Sequence, residues 1–292
     1  MTDPSSHLDI GPLMRAARKF KNLNQADVAH AIGCSQSALS KMEHNRLLPD
    51  AWQWFLFARF TAIPPESIEV GVIDRHTRVL MNDVQDLRLP KRFRLNRAQK
   101  VKEIYPFINY LNSIKEQKLL NEFFDTSKLD TEFFLDFDNL VSFQLVVDII
   151  NLFIKEGIDS ELQIKQIVQV GQDSVYWDHY FRYWMKFESV KELLIEYIFQ
   201  QPYFQGDFDL SLSEREGNLI FTYLPKEHVV LTIKDVAEET KQWLILYRKF
   251  TIEHLVKFQL GIKVEAAFIS PHQPLSLGCH FKITSKESLE TR

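Results

Sequence analysis

Apolar residues recur at helical spacing from the first well-patterned stretch of the chain. In "IGPLMRAARKF", Ile10, Leu13, Met14, Ala17 and Phe20 fall on one face. The pattern restarts after Asn24, which serves as N-cap for a helix predicted over 25–32, with Asp27 as its acidic first-turn residue. Gly33 ends that helix where a positive φ is needed. Ser35 caps the next helix, predicted over 36–43, and Asn45 tolerates the left-handed conformation at its end. Pro49 opens a fourth helical segment, "DAWQWFLFARF", and "PPESIEVG" supplies a last short turn. Residues 9–71 therefore read as a compact all-helical unit.

The periodicity then fades. Residues 72–103 are charged, weakly periodic and basic between Arg88 and Lys102. They read as a linker, either a solvated connector or a basic arm that assists nucleic-acid binding. From Ile104 helical patterns return at 104–124, 138–156, 186–200 and 234–259. Between them "GDFDLSLSE" and "NLIFTYLP" alternate like strands around an "REG" turn, and "IKVEAAFISP" and "GCHFKITS" look like two more. Residues 104–292 thus form a larger α+β domain. The predicted fold class is an all-α helix-turn-helix head followed by that domain.

Composition changes this picture in two ways. The chain of 292 residues is 45% hydrophobic, enough for two cores. Charge is uneven: residues 1–104 hold 16 Lys+Arg against 11 Asp+Glu, and the remainder holds 19 against 28. A mildly basic head on an acidic body is the asymmetry expected when one module touches phosphates. No apolar run is long enough to span a membrane, and the first residues lack a secretion pattern. Cys34 and Cys279 stand alone, without metal or redox spacing, which suits a reducing cytoplasm.

Residues 25–43 repay closer reading. Two short helices joined by a Gly-containing turn make a helix-turn-helix. Ala29 is small where the helices cross, while Val28, Ile32, Leu39 and Met42 are spaced to face inward. Gln36, Ser37, Ser40 and Lys41 are left on the outward face of the second helix. Such a face is polar without being acidic, and it is short enough to enter a major groove.

The stretch "LNQADVAHAIGCSQSALSKMEHNR", followed by Pro49 and a fourth helix, resembles the phage-repressor and Cro type of helix-turn-helix domain over residues 13–62. The resemblance implies double-stranded DNA as partner. It implies that Gln25, assisted by Asn24, meets a phosphate and that Gln36 pairs with an adenine edge. Ser37 and Lys41 would read neighbouring bases, and Ser40, Asn45 and Arg46 would touch backbone or base edges. Arg18 and Glu43 match the family's structural ion pair, which clamps the first helix to the recognition helix. Asn45 stands where Gly is common, and Lys and Arg are sparse on the two motif helices.

The second domain offers less. No P-loop, G-x-S-x-G, H-E-x-x-H or G-x-G-x-x-G occurs. His179, His228, His254, His272 and His280 are scattered singly, and Asp136 and Asp138 read as a helix-start region. The expectation is a non-enzymatic regulator with no cofactor and no metal. The aromatic run "VYWDHYFRYWMKF" covers every face of a helix over 175–187. It is either core or a ligand pocket lined by Tyr176, Trp177, Tyr180 and Trp184. The domain's end is faintly similar to the effector-binding domains of AraC-type regulators, with no residue carried over. A single recognition helix covers few base pairs, so a homodimer is expected. The second domain is expected to sense a small-molecule effector or, as the alternative, to bind a protein partner.

Overall fold

The fold is that of a computed structural model, which describes residues 10–65, 67–74, 78, 89–172, 187–269 and 279–285. The chain divides into two compact units, residues 1–77 with 129–139, and residues 78–128 with 140–292.

The first unit is built from α1 (Ile10–Phe20), α2 (Gln25–Ala31), α3 (Gln36–Glu43), α4 (Ala51–Thr61) and α5 (Ser67–Val70). Each start carries local chemistry. Asn24 accepts from the Asp27 N–H at 2.8 Å, Ser35 from the Ala38 N–H at 3.1 Å, and Asp50 forms a reciprocal capping box with Gln53. Leu13, Met14 and Ala17 of α1 pack with Val28, Ile32, Leu39, Met42, Trp54, Phe57 and Ala58 in one core. Burying such side chains is worth about 1.5–3 kcal/mol each before chain entropy is counted, so this core, rather than propensity, holds the short helices.

Residues 129–139 belong to this unit although α7 (Gln117–Ser127) precedes them and β2 (Leu140–Ser142) follows. A 3-10 turn at Thr131–Leu135 lies against α1. The Ile73 N–H donates to Leu135 O at 2.8 Å, and the Phe137 N–H donates to Ile73 O at 2.7 Å. Glu132 pairs with Arg15 at 2.5 Å and with Lys19 at 2.9 Å. The sequence reading placed this segment in the larger domain, because nothing local marks a partner so distant along the chain.

The second unit is α+β. β1 (Arg97–Lys100) pairs antiparallel with β2. β3 (Phe208–Arg215), β4 (Asn218–Pro225), β5 (Val264–Ile269) and β6 (Cys279–Ser285) form an antiparallel sheet in the order β3-β4-β6-β5. Glu216 and Gly217, both at positive φ, make the hairpin turn between β3 and β4. The helices are α6 (Tyr105–Ser113), α7, α8 (Phe143–Lys155), α9 (Glu161–Gln172), α10 (Val190–Gln200), α11 (Glu227–Ile233) and α12 (Glu238–Leu260). α12 packs against α8, α9 and β5. Phe107, Trp243 and Tyr247 stack on one another with centroids 5.3–5.8 Å apart, and Trp243 Nε1 donates to Ile158 O at 3.2 Å.

The helix expected over 104–124 is two, α6 and α7, broken where Lys115 takes φ 60°. The linker expectation is corrected at its C-terminal end. Phe93, Arg97, Gln99, Lys100 and Lys102 are buried, and Lys102 Nζ lies 4.4 Å from the centroid of the Phe204 ring. Long basic side chains bury their stems readily once their heads are partnered, so a basic run need not be a solvated arm.

Candidate nucleic-acid interface

α2 and α3 are joined by residues 32–35. The Gly33 N–H donates to His30 O and the Cys34 N–H to Ala29 O, and Gly33 sits at φ 70°, which closes α2 without a Cβ clash. Val28 and Ala29 of α2 and Leu39 and Met42 of α3 are at most 2% exposed. Packing those positions inward fixes the opposite face of α3. Gln36, Ser37 and Lys41 are exposed there and Ser40 is half-buried, with Arg46 exposed just beyond the helix. Among the described residues, no hydrogen bond or ion pair holds the side chains of Gln36, Ser37, Lys41 or Arg46.

The other sequence candidates are engaged by the head itself. Arg18 binds Glu43 bidentately, Nε to Oε1 at 2.6 Å and a terminal nitrogen to Oε2 at 2.9 Å, and donates to Leu23 O at 3.0 Å. Glu43 is fully buried, and the Arg18 side chain keeps 14% exposure. Its hydrogen bond to Glu43 raises the Arg18 pKa further above its ordinary value. Gln25 joins them, its amide donating to Glu43 Oε2 at 2.9 Å. α1, the start of α2 and the end of α3 thus share one buried carboxylate. Asn24 is exposed, yet its side chain both accepts from Asp27 N–H and donates to Asp27 Oδ2 at 2.6 Å.

Asn45 holds the end of α3 to the start of α1. Its Oδ1 accepts from the Gly11 N–H at 2.7 Å, and its backbone is left-handed at φ 54°. Gly11 is required by this approach: a Cβ there would fall 2.5 Å from both Asn45 Oδ1 and Met42 O. The sequence carried a signal for the backbone of Asn45 and none for this cross-helix bond. Sequence reasoning also missed an apolar patch beside the motif. Leu48 is 64% and Trp52 66% exposed, and Trp52 stacks on Phe55 at 5.6 Å.

Tyr176, Trp177, Tyr180 and Trp184 lie outside the described residues, as do His179 and His272. His228 Nε2 lies 2.9 Å from Asp207 Oδ1, His280 Nδ1 lies 3.0 Å from Thr222 Oγ1, and His254 stacks on Phe258. Asp136 and Asp138 are buried, with the Asp138 N–H donating to Asp136 Oδ1 at 3.2 Å. Among the described residues no group of three or more His, Cys, Asp and Glu is placed to hold a metal ion. No helix among them is long and apolar enough to cross a membrane.

Comparison with known proteins bears on the head. No curated protein matches the chain. Among solved structures, an unliganded Fe(II) H-NOX protein variant from K. algicida is similar at a TM-score of 0.43 and 13% identity, over 65% of this chain and 98% of that one. Likeness of that extent carries no argument here. The head is different: residues 14–67 match the helix-turn-helix family, the span that contains α2, the turn at 32–35 and α3.

Proposed function

We propose that the protein is a sequence-specific, DNA-binding transcriptional regulator of the cytoplasm, and that it acts without catalysis. The observation that carries this reading is the unengaged outward face of α3 on a head of the matched type. Gln36 suits the two-point pattern of an adenine edge, Lys41 suits guanine, and Ser37 serves either. Arg46 and Ser40 reach backbone or neighbouring bases. Gln25 and Asn24 stand at the start of α2, where a phosphate passes in heads of this kind, and Gln25 keeps a second amide hydrogen free of Glu43. Arg18, Glu43 and Asn45 position these groups.

The reading includes a homodimer. On residues 24–46 only Lys41 and Arg46 stand against Asp27 and Glu43, so one head releases few counterions and gains little non-specific affinity. Joining two heads makes the second contact intramolecular, which raises avidity by about 10² or more. The second unit then has the role of holding the pair and of responding to an effector. Residues 129–139, bounded by α7 and β2 and bound to α1, are one covalent route, beside the 77–78 junction, by which a change in the second unit reaches the head.

Binding-site selection with the full chain, followed by titration of Gln36→Ala, tests the reading. The variant should lose about 1–3 kcal/mol of specific affinity and relax one base position. Selection that returns no consensus sinks the DNA-binding reading, and an unchanged consensus for the variant sinks the role of Gln36. Sedimentation of the full chain should give a dimer, with two half-sites in the selected sequence. A monomer bound to a single half-site overturns the homodimer.

A further inference from the structure

Inside the second unit, away from the head, stands a cluster of polar side chains that the fold leaves without partners. Arg248 projects from the middle of α12 and is 6% exposed. Its guanidinium lies 4.7 Å from the centroid of the Phe208 ring and 5.2 Å from that of Tyr223, over the face of β3 and β4. Among the described residues no carboxylate, carbonyl or hydroxyl takes a hydrogen bond from it. Tyr223 is wholly buried, and its hydroxyl, which faces that of Tyr197, makes no well-formed bond. Tyr197 on α10, whose hydroxyl meets that of Tyr223, surrounds the same guanidinium with Tyr247 on α12 and Glu103 just before α6, neither of whose side chains has a hydrogen-bond partner among the described residues. Asp207 gives Oδ1 to His228, and its Oδ2 is orphaned.

Two physical facts turn this cluster into a site. Buried polar groups in folded proteins are nearly always satisfied, and a buried guanidinium with five donors and no acceptor is the costliest exception. Several such groups converging on one place therefore mark the position of something the chain itself does not supply. Glu103, Tyr197 and Tyr247 are only half-buried around it, so packing does not close the cluster off.

We propose that this cluster binds a small organic monocarboxylate, seated on the fork of Arg248 and the hydroxyls of Tyr197 and Tyr247, with its apolar body against the aromatic rings around them. Phe208 and Tyr223, their rings nearly perpendicular at 86°, hold the guanidinium against the sheet and leave its nitrogens, none bonded within the chain, for two parallel bonds to a carboxylate. The charge balance selects a monoanion. Arg248 and, next to Glu103, the buried Lys102 supply the positive charge, and Glu103 and Asp207 flank Arg248, so a phosphate dianion meets opposing carboxyls. An amine ligand meets the guanidinium head-on. Aromatic walls with a few convergent polar tips are the usual lining of small-molecule sites.

The inference rests on the effector-sensing reading proposed above and gives the effector its chemical class. Its test is thermal unfolding of the full chain without DNA, titrated with sodium benzoate and sodium hexanoate, with benzamide and inorganic phosphate alongside. At least one carboxylate should raise Tm by several degrees in a concentration-dependent way, while benzamide and phosphate should not. Arg248→Met should abolish the shift and, freed of an unpaired charge, melt no lower than the parent chain without ligand. Tyr247→Phe removes a half-buried hydroxyl that no protein group among the described residues holds. It should fold normally and weaken the response about tenfold, which keeps the test intact if Arg248→Met does not fold. The proposal is overturned if neither carboxylate shifts the parent chain, as for a cluster satisfied by water, or if both variants respond like it. A chain that selects a DNA consensus yet ignores carboxylates fails this inference alone, and one that responds to carboxylates yet selects no DNA fails only the other.

Discussion

Replacing Glu43 with Ala strands two donors at once. The carboxylate is fully buried, accepts two bonds from Arg18 and takes a third from Gln25. Breaking a buried pair by removing one partner costs about 3–5 kcal/mol, mainly because the remaining charge is left desolvated. Two features pull the value to the lower end. The Arg18 side chain is 14% exposed, so water can reach part of it, and Leu23 O still accepts one bond. About 3 kcal/mol is therefore expected, together with a smaller contribution from the half-buried Gln25 amide. At about 1.4 kcal/mol per factor of ten, that is roughly a 10²-fold rise in local opening.

Amide hydrogen exchange on the full chain reads this directly. Peptides from α1 and the end of α3 should lose about 10² in protection, while peptides from α8 and α12 serve as an internal reference. The double variant Arg18→Met, Glu43→Leu should recover most of the loss, because an apolar pair of similar volume needs no desolvation of charge. If Glu43→Ala changes protection less than about threefold, the clamp contributes nothing measurable. If the double variant is worse than either single change, the bond geometry rather than charge burial sets the stability.

Two further outcomes follow from the same packing. Gly11→Ala should lower head stability by about 1–3 kcal/mol despite Ala's better helix propensity, because its Cβ must displace backbone at Met42 O; an unchanged Tm would mean that α1 slides freely against the end of α3. Burial raises the Glu103 carboxyl, partly opposed by Arg248 and Lys102 and assisted by Asp207. The folded state then holds that proton more tightly than the unfolded state, so its contribution is complete below the usual carboxylate range and fades as pH rises through the raised value. Asp207 and Glu253, raised by burial too, act in the same direction, so across pH 4–8 the Tm of the parent chain should fall more steeply than that of Glu103→Gln, and parallel curves would refute it.

The head was largely legible because its signals are local. Asn24, Ser35 and Asp50 each sit one residue before a helix and reach a backbone amide inside it, so caps and periodicity are read from neighbours along the chain. The hairpin of β3 and β4 was visible for the same reason, with alternation on both sides of a Glu-Gly turn. What failed was non-local. The buried basic residues of 97–102 look like a solvated arm until their partners are known. The strap at 129–139 needs α1 and Ile73, more than fifty residues upstream, to explain it. Arg248 stood in view within "LILYRKF", beside Lys249 in an otherwise apolar run, but only the fold brings Tyr197, Tyr223 and Glu103 around it.

The same division between local and distant partners sorts the sequence-chosen residues of the head. Asn24, Gln25 and Asn45 share a side-chain type that suits DNA, yet each spends at least one polar atom on the head's own structure. Releasing such an atom to a base costs the bond it already makes, which for a bond to a buried carboxylate is about 1.5–3 kcal/mol. That is as much as a good base contact returns. Gln36, Ser37, Lys41 and Arg46 carry no such debt. On the DNA-binding reading, sequence preference therefore resides in these four. Asn24, Gln25 and Asn45 act by holding α2 and α3 in register, so their replacement should weaken binding to all sequences alike rather than change the preferred one.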